Sequence, residues 1–361
     1  MNILILANYD VGLYRFRREL IQSLLERNEV LIALPEGNLV HPLEEMGCHF
    51  VDTPIDRRGL NPVTDLKLFF RFFKLLRQQK PDLVITYTIK PNVYGGLACR
   101  IQGVPYAINV TGLGSVFQSK GFVREVAKFL YRMAAKRAKV VFFENTANME
   151  LFQKEKIVSP SQSRVLSGAG VNLEYFTCTP YPSSEETRFA FAGRVMKEKG
   201  VEELFAAMER LRAEGENCTL DVLGSYEENY ADAIRRYEEA GWLKYYGYVE
   251  DVRPYVEKAH CVVLPSYHEG MANTNLEGAA MGRPIITSNI PGCREAVLDG
   301  KSGLLCKPQN ADSLYDAMKQ FLSLSATARE QMGKTGRKHM EAMFDKKKVV
   351  EETMKGLGLE N

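Results

Sequence analysis

The sequence predicts an α/β protein built from two doubly wound parallel sheets, and three observations carry that prediction. Short apolar runs alternate with helical patterns along the whole chain. The alternation breaks once, in YFTCTPYPSSEETR from residue 175, and then resumes. Finally, 361 residues exceed one ordinary core but suit two halves of roughly 150–200 residues each.

The elements follow in order. Residues 2–7 read as a buried strand, followed by a loop containing Gly12, a helix over 16–27 and a second strand at 29–34. Further strands are expected at 83–86, 106–110, 140–144 and 163–166, with helices between them. After the break, strands at 188–192, 219–223, 262–265, 284–287 and 303–305 repeat the pattern. This divides the chain into a first domain, 1–178, a second, 187–340, and a terminal segment, 341–361. In such sheets ligands sit beyond the carboxyl ends of the strands, so loops of both halves are expected to line a cleft.

Composition narrows the setting. Residues 1–180 hold 23 Lys and Arg against 16 Asp and Glu, and the remainder 24 against 29, so the first half is expected to meet something anionic. Seven cysteines without a C-x-x-C pair provide no disulfide framework or zinc site and fit a reducing compartment. The opening MNILILANYD has no basic stretch before its apolar run, and no segment reaches the 18 apolar residues of a membrane span. A cytoplasmic protein is expected, and no aromatic-basic module points to nucleic acid.

The second half carries the chemistry. In FAGRVMKEKGVEELFAAM, Gly193 ends a strand, and Arg194 and Lys199 lie on the connection to a helix opening near Val201. Two cations beside a helix N-terminus suit a diphosphate, because free N–H groups and the helix dipole add to their charge. A surface loop with scattered charges, Glu198 among them, fits equally well. In LPSYHEGMANTNLEGAAMGRPI, Glu269 follows a strand and a helix opens near Asn273–Thr274. Thr274-x-x-Glu277 fits a capping box worth about 1 kcal/mol. Glu269 has no such folding role and suits hydroxyl groups as an acceptor. Gly270, Ala272 and Gly278 are small enough for amides near Met271 and Thr274 to approach an anion closely.

The Glu269-x7-Glu277 pair, Gly193-Arg194 with Lys199, and the following GRPIITSNIPGCREAVLDGKSGLL together resemble the retaining, nucleotide-sugar-dependent glycosyltransferases of family four. The resemblance spans essentially the whole chain and is most specific over 188–320. It implies the GT-B fold, two Rossmann-like doubly wound domains facing across a cleft. It implies that the first (1–178) binds the acceptor and the second (187–340) the nucleotide sugar, with a terminal helix within 341–361 reaching back to the first. It also implies that Arg194 and Lys199 hold the donor diphosphate, Glu269 the sugar hydroxyls and Glu277 the ribose. Gly247 and Tyr248 would receive the base, while Gly193 and the amides of Met271, Ala272, Asn273, Thr274 and Asn275 complete the donor cradle. Donors aimed at the departing phosphate would each supply roughly 3–4 kcal/mol in the transition state. No D-x-D occurs, so no metal is expected, and no cofactor beyond the UDP-sugar substrate. Glu269 is a tempting nucleophile by analogy with retaining glycosidases. The family instead favours front-face substitution, with the β-phosphate oxygen taking the acceptor proton.

The first half departs from the family pattern. Thr111-Gly112 stands where many members carry a histidine, so its hydroxyl and nearby amides are expected at the donor sugar or its phosphate with no acid–base role. Gly12, alone where paired glycines are usual, is expected on the donor side too. TIKPNVYGG together with TGLGS resembles a branch that adds sugars, often N-acetylated hexosamines from UDP donors, to polyprenyl-diphosphate-linked acceptors. Lys90, Asn92 and Arg15 are then acceptor candidates, although a Lys-Pro turn entering a helix explains Lys90 as well. Two helices carry basic stripes, Lys67, Arg71 and Lys74 on one and Arg124, Lys128, Arg132 and Lys136 on the other. At roughly 1 kcal/mol per cation near anionic lipid, they point to reversible docking on the inner membrane face. The reading is a peripheral glycosyltransferase that takes a UDP-sugar, by resemblance an N-acetylhexosamine, to a lipid-linked saccharide in polysaccharide or glycoprotein synthesis. A UDP-sugar epimerase of the same architecture is one alternative. A non-catalytic nucleotide-sugar or lipid-binding protein is another. Of five histidines only His268 abuts the site, and it has no evident acid–base partner.

Overall fold

The computed structural model describes residues 1–56, 59, 61–113, 117 and 121–360. The chain divides into one unit of Met1–Ala169 with Lys346–Asn361 and another of Gly170–Asp345.

The first unit is a seven-stranded sheet ordered β3-β2-β1-β4-β5-β6-β7, with every pairing parallel. Its strands are β1 (Asn2–Leu6), β2 (Glu29–Leu34), β3 (His49–Asp52), β4 (Leu83–Tyr87), β5 (Tyr106–Val110), β6 (Val140–Phe143) and β7 (Ser163–Val165). Side chains alternate across it. Leu4, Leu6, Val84 and Ile108 enter the core on one face, whereas Ile3, Ile5, Ile32 and Ile85 enter the core on the other. Burial on both faces is why these strands read as unbroken apolar runs. On the first face lie α3 (Pro62–Gln79), α4 (Gly96–Gln102), α5 (Phe122–Ala135) and α6 (Thr146–Lys154). On the opposite face lie α1 (Asp10–Leu25) and α2 (Val40–Glu45), together with α13 (Lys346–Leu357), which packs on α1.

The second unit repeats the plan with six parallel strands ordered β10-β9-β8-β11-β12-β13. They are β8 (Thr187–Ala192), β9 (Cys218–Leu223), β10 (Leu243–Gly247), β11 (Cys261–Leu264), β12 (Ile285–Ser288) and β13 (Gly303–Cys306). Phe189, Phe191, Leu220 and Val222 fill one core, and Val262 and Ile285 the other. Each large side chain buried in this way contributes about 1.5–3 kcal/mol. In both sheets the strand order reverses beside the first strand of the unit, between β1 and β4 and between β8 and β11. These are the switch points where such sheets leave room for ligands.

Three expectations are corrected. Helix α1 begins at Asp10, so Gly12 lies in its first turn and not in a loop. Asp10 is buried there, its carboxylate accepting the amides of Val11 (2.8 Å) and Leu39 (2.7 Å). Strands β3 and β10 are additional edge strands whose mixed burial leaves no apolar run to read. The Thr-, Pro- and Ser-rich break is fastened to the second unit. The buried Arg283 guanidinium donates to the carbonyls of Thr179 (3.1 Å), Pro180 (2.9 Å), Val256 (3.1 Å) and Glu257 (2.9 Å).

Candidate functional site

The connection after β8 is shaped by glycines. Gly193 donates its amide to the Leu223 carbonyl at 2.8 Å, and a Cβ on Gly224 (φ +143°) would sit 1.8 Å from the Gly193 oxygen. Lys197–Lys199 form a single tight turn, and Gly200 (φ +72°) leads into α7 (Val201–Ala213). A Cβ on Gly200 would fall 2.2 Å from the Pro265 carbonyl, so this loop presses on the one after β11. Arg194 projects outward, 51% exposed and 3.7 Å from Glu227. Lys199 is more enclosed, at 18% exposure.

The loop after β11 brings Glu269 onto Lys199 in a direct ion pair, with the carboxylate 13% exposed. The buried Ser266 hydroxyl donates to the same carboxylate oxygen at 2.8 Å. Nearby, burial and then the Glu269 charge push the Cys293 thiol up, so that it stays protonated. Gly292 (φ +87°) braces the loop, since a Cβ there would lie 2.6 Å from the Glu269 carbonyl. Helix α10 (Asn273–Ala280) starts after Ala272 with no side-chain cap. The capping box read into Thr274 and Glu277 is therefore absent. Thr274 lies inside the helix and donates its hydroxyl to the Ala192 carbonyl at 2.9 Å, tying the helix start to the end of β8. Glu277 follows one turn after Asn273, on the same side of the helix.

The expected amide cradle is only partly present. The Ala272 amide is spent on the Gly292 carbonyl (2.7 Å), and the Asn275 amide on that of Ala272 (2.9 Å). The Asn275 side chain is buried on the Thr287 hydroxyl at 3.0 Å, which itself donates to the Leu264 carbonyl at 2.7 Å. Asn273 and Thr274 remain as the first-turn positions whose amides have no acceptor within the helix. Met271 is buried beside them. Gly247 (φ +66°) closes β10 and accepts the Gly224 amide at 2.7 Å, while the following Tyr248 is 61% exposed. Sequence reading missed Ser266, Thr287 and the stacked Tyr226–Tyr245 rings, 4.6 Å apart, beside Gly224.

In the first unit, Gly12 and Arg15 lie on α1, and Thr111-Gly112 follow β5. Within TGLGS, Gly114 and Ser115 lie outside the described residues. Two acceptor candidates are internal instead. Lys90 pairs with Asp65 at 2.7 Å, both side chains being under 15% exposed. Asn92 is fully buried in a wide turn before α4, bonded to the Asn109 carbonyl (2.8 Å) and the Thr86 hydroxyl (2.7 Å). Three of the four cations of the second basic stripe are likewise engaged, while Lys136, just past α5, is exposed. Arg124 and Lys128 hold Glu155, and Arg132 donates to the carbonyls of Glu155 and Lys156. The first switch point carries polar atoms that sequence reading overlooked. Asn8 Oδ1, Tyr87 Oη and Thr88 Oγ1 are buried without a hydrogen-bond partner, beside a buried Arg17–Glu144 pair. Among the described residues, no helix is long and apolar enough to cross a membrane, and no three His, Cys, Asp or Glu side chains cluster as metal ligands.

Two doubly wound parallel units in one chain are the architecture of the GT-B fold. The chain is a glycosyltransferase in both halves: residues 181–339 match the family described as glycosyl transferases group 1, and residues 12–169 match the glycosyl transferase 4-like domain. It is similar, at 28% identity over 89% of each chain, to a Campylobacter jejuni N,N'-diacetylbacillosaminyl-diphospho-undecaprenol α-1,3-N-acetylgalactosaminyltransferase. A second relative is the Escherichia coli UDP-Gal:α-D-GlcNAc-diphosphoundecaprenol α-1,3-galactosyltransferase, 28% identical over 80% of this chain and 78% of that one. Among solved structures, Anabaena HepE in complex with UDP-glucose shares the fold with a TM-score of 0.82, at 17% identity over 99% of both chains.

Proposed function

We propose that this glycosyltransferase moves an N-acetylhexosamine from its UDP conjugate to a saccharide carried on polyprenyl diphosphate, with retention of anomeric configuration and without a metal. It would work at the inner face of the cytoplasmic membrane, in cell-surface polysaccharide or glycoprotein glycan synthesis. The observation that carries the reading is the Lys199–Glu269 pair, set beside Arg194 and an uncapped helix start at the second switch point. The activities named for the two relatives support the acceptor class.

In this reading Arg194, Lys199 and the amides of Asn273 and Thr274 meet the diphosphate. Glu269 accepts hydrogen bonds from the sugar hydroxyls, Glu277 from the ribose, and Tyr248 lies against the base. The acceptor hydroxyl oxygen bonds to the anomeric carbon on the face the diphosphate leaves. The bond from that carbon to the β-phosphate oxygen breaks, and the hydroxyl proton passes to a β-phosphate oxygen. Charge accumulates on the phosphate, and in this reading Lys199, held by its ion pair, counters that charge with little reorganisation. Lys199 also holds the Glu269 carboxylate in place for the sugar. Thr111 and Gly112 meet the donor sugar or its phosphate from the first unit. The acceptor falls to that unit as well, where Arg15 and the partnerless Asn8, Tyr87 and Thr88 atoms offer polar contacts.

The test is incubation with radiolabelled UDP-sugars and a membrane lipid extract, with and without EDTA. Label from UDP-N-acetylhexosamine should enter the lipid fraction equally in both. Interconversion of the UDP-sugar without transfer, or transfer that EDTA abolishes, would contradict the proposal.

A further inference from the structure

Exposed apolar side chains are unevenly distributed over this molecule. Of fifteen large apolar or aromatic side chains reported as exposed among the described residues, eight lie on α3, α4 and α5. All three exposed phenylalanines, Phe70, Phe122 and Phe129, are among them, at 58%, 83% and 56% exposure. The three helices are neighbours in one layer, since α3 and α5 both pack against α4 and share a single core beneath. Leu66 and Phe70 follow the i, i+4 spacing of one helix face, and Phe122, Val126 and Phe129 the i, i+4, i+7 spacing of another. The exposed Ile101 lies on α4. An outer helix layer facing water has no reason to concentrate its large apolar groups in this way.

Charge indicates what covers this face. The three helices carry eight Lys and Arg against two carboxylates, Asp65 and Glu125. Asp65 is taken up by Lys90. Arg124, Lys128 and Arg132 of α5 are engaged with Glu155 and Lys156 at the end of α6. Helix α5 therefore meets solvent with Phe122, Val123, Val126 and Phe129 beside Glu125 and Arg132. On α3, in contrast, Lys67, Lys74 and Arg77 remain exposed beside Leu66 and Phe70. A second copy of the same cationic face would repel this one across a two-fold axis, whereas an anionic lipid surface complements both its apolar and its basic groups.

We infer that the outer faces of α3, α4 and α5 form one membrane-docking surface. Phe70, Phe122 and Phe129 enter the interfacial layer of an anionic bilayer, and Lys67, Lys74 and Arg77 meet lipid phosphates. Apolar insertion therefore does most of the anchoring, and charge mainly steers the approach. The inference shares with the proposed function only the premise of a membrane-held acceptor. Vesicles without acceptor test it separately from transfer.

The experiment is co-sedimentation of the full chain with vesicles of phosphatidylglycerol and phosphatidylcholine in equal parts, at about 0.1 M and about 0.5 M salt. Wild type should bind at both, less tightly at the higher salt. The Phe70→Ser/Phe122→Ser/Phe129→Ser variant should bind at least about a hundredfold more weakly at either, with an unchanged Tm because the replaced side chains are exposed. A Lys67→Gln/Lys74→Gln/Arg77→Gln variant should lose affinity chiefly at low salt and keep the salt-resistant part. Unaltered vesicle binding by the folded serine variant would overturn the inference. So would failure of wild type to bind at all, or a wild-type dimer in sedimentation velocity that the serine variant converts to monomer.

Discussion

Arg194 and Lys199 carry the same charge in different settings, and the difference separates catalysis from stability. Arg194 is half exposed with its nearest carboxylate oxygen at 3.7 Å, a geometry worth little to folding. Arg194→Ala should leave unfolding free energy within about 0.5 kcal/mol of wild type. It should nonetheless slow sugar transfer by at least about tenfold if, as proposed above, its charge meets the departing phosphate. Thermal melts and steady-state rates on one preparation would check both halves. Glu269 was legible as a loop carboxylate just past a strand end, where it serves folding little, and Lys199 only as a cation on the connection into a helix, which a surface loop explains equally well. Ser266 and the Asn275–Thr287–Leu264 chain were not, since they join side chains whose strands meet only in the sheet. The internal partners of Lys90 and Asn92 were hidden for the same reason. A Lys-Pro-Asn run reads alike as a surface turn or a buried one, and Asp65 lies 25 residues away in the chain.

At the scale of elements, the loops of the second switch point are held by backbone contacts that only glycine allows. Gly200→Ala would place a methyl carbon 2.2 Å from the Pro265 carbonyl at a φ of +72°. It should destabilise the protein by about 2 kcal/mol or more and lower kcat, because the displaced turn carries Lys199. An unchanged denaturation midpoint would contradict this. The start of β8 is held by a buried histidine. His260 is 2% exposed and accepts the Arg188 amide at Nδ1 (3.0 Å), and burial holds its pKa below the ordinary 6.5. The unfolded chain therefore binds the proton more readily. The stabilisation is full above pH 6.5 and is lost as pH falls below it toward the lowered native value. Tm measured from pH 7.5 downward should begin to fall near 6.5, and a less stable His260→Gln variant should show a flatter profile there. Element boundaries were legible where both faces of a strand are buried. They were not at the edges, β3 and β10, nor at α1, whose first turn is stabilised by Asp10 accepting the Leu39 amide from 29 residues away.

At the scale of the whole molecule, the repeated strand–helix alternation made two doubly wound sheets readable, because period and burial are written locally. The strand order was not written locally. The reversal beside β1 and beside β8 fixes which loops become neighbours, and so brings Lys199 to Glu269 across 70 residues of sequence. The surplus of positive charge in the first half was readable by counting. Its partition into cations engaged with α6 and cations left exposed on α3 required the folded layer. The central claim is that a fixed ammonium at the second switch point stabilises a leaving nucleoside diphosphate. The most direct test is single-turnover transfer of radiolabelled N-acetylhexosamine from its UDP conjugate to a polyprenyl-diphosphate saccharide by wild type, Lys199→Ala and Lys199→Arg. The account predicts a loss of at least about a hundredfold for the alanine variant, partly restored by arginine; a folded alanine variant that transfers at the wild-type rate would contradict it.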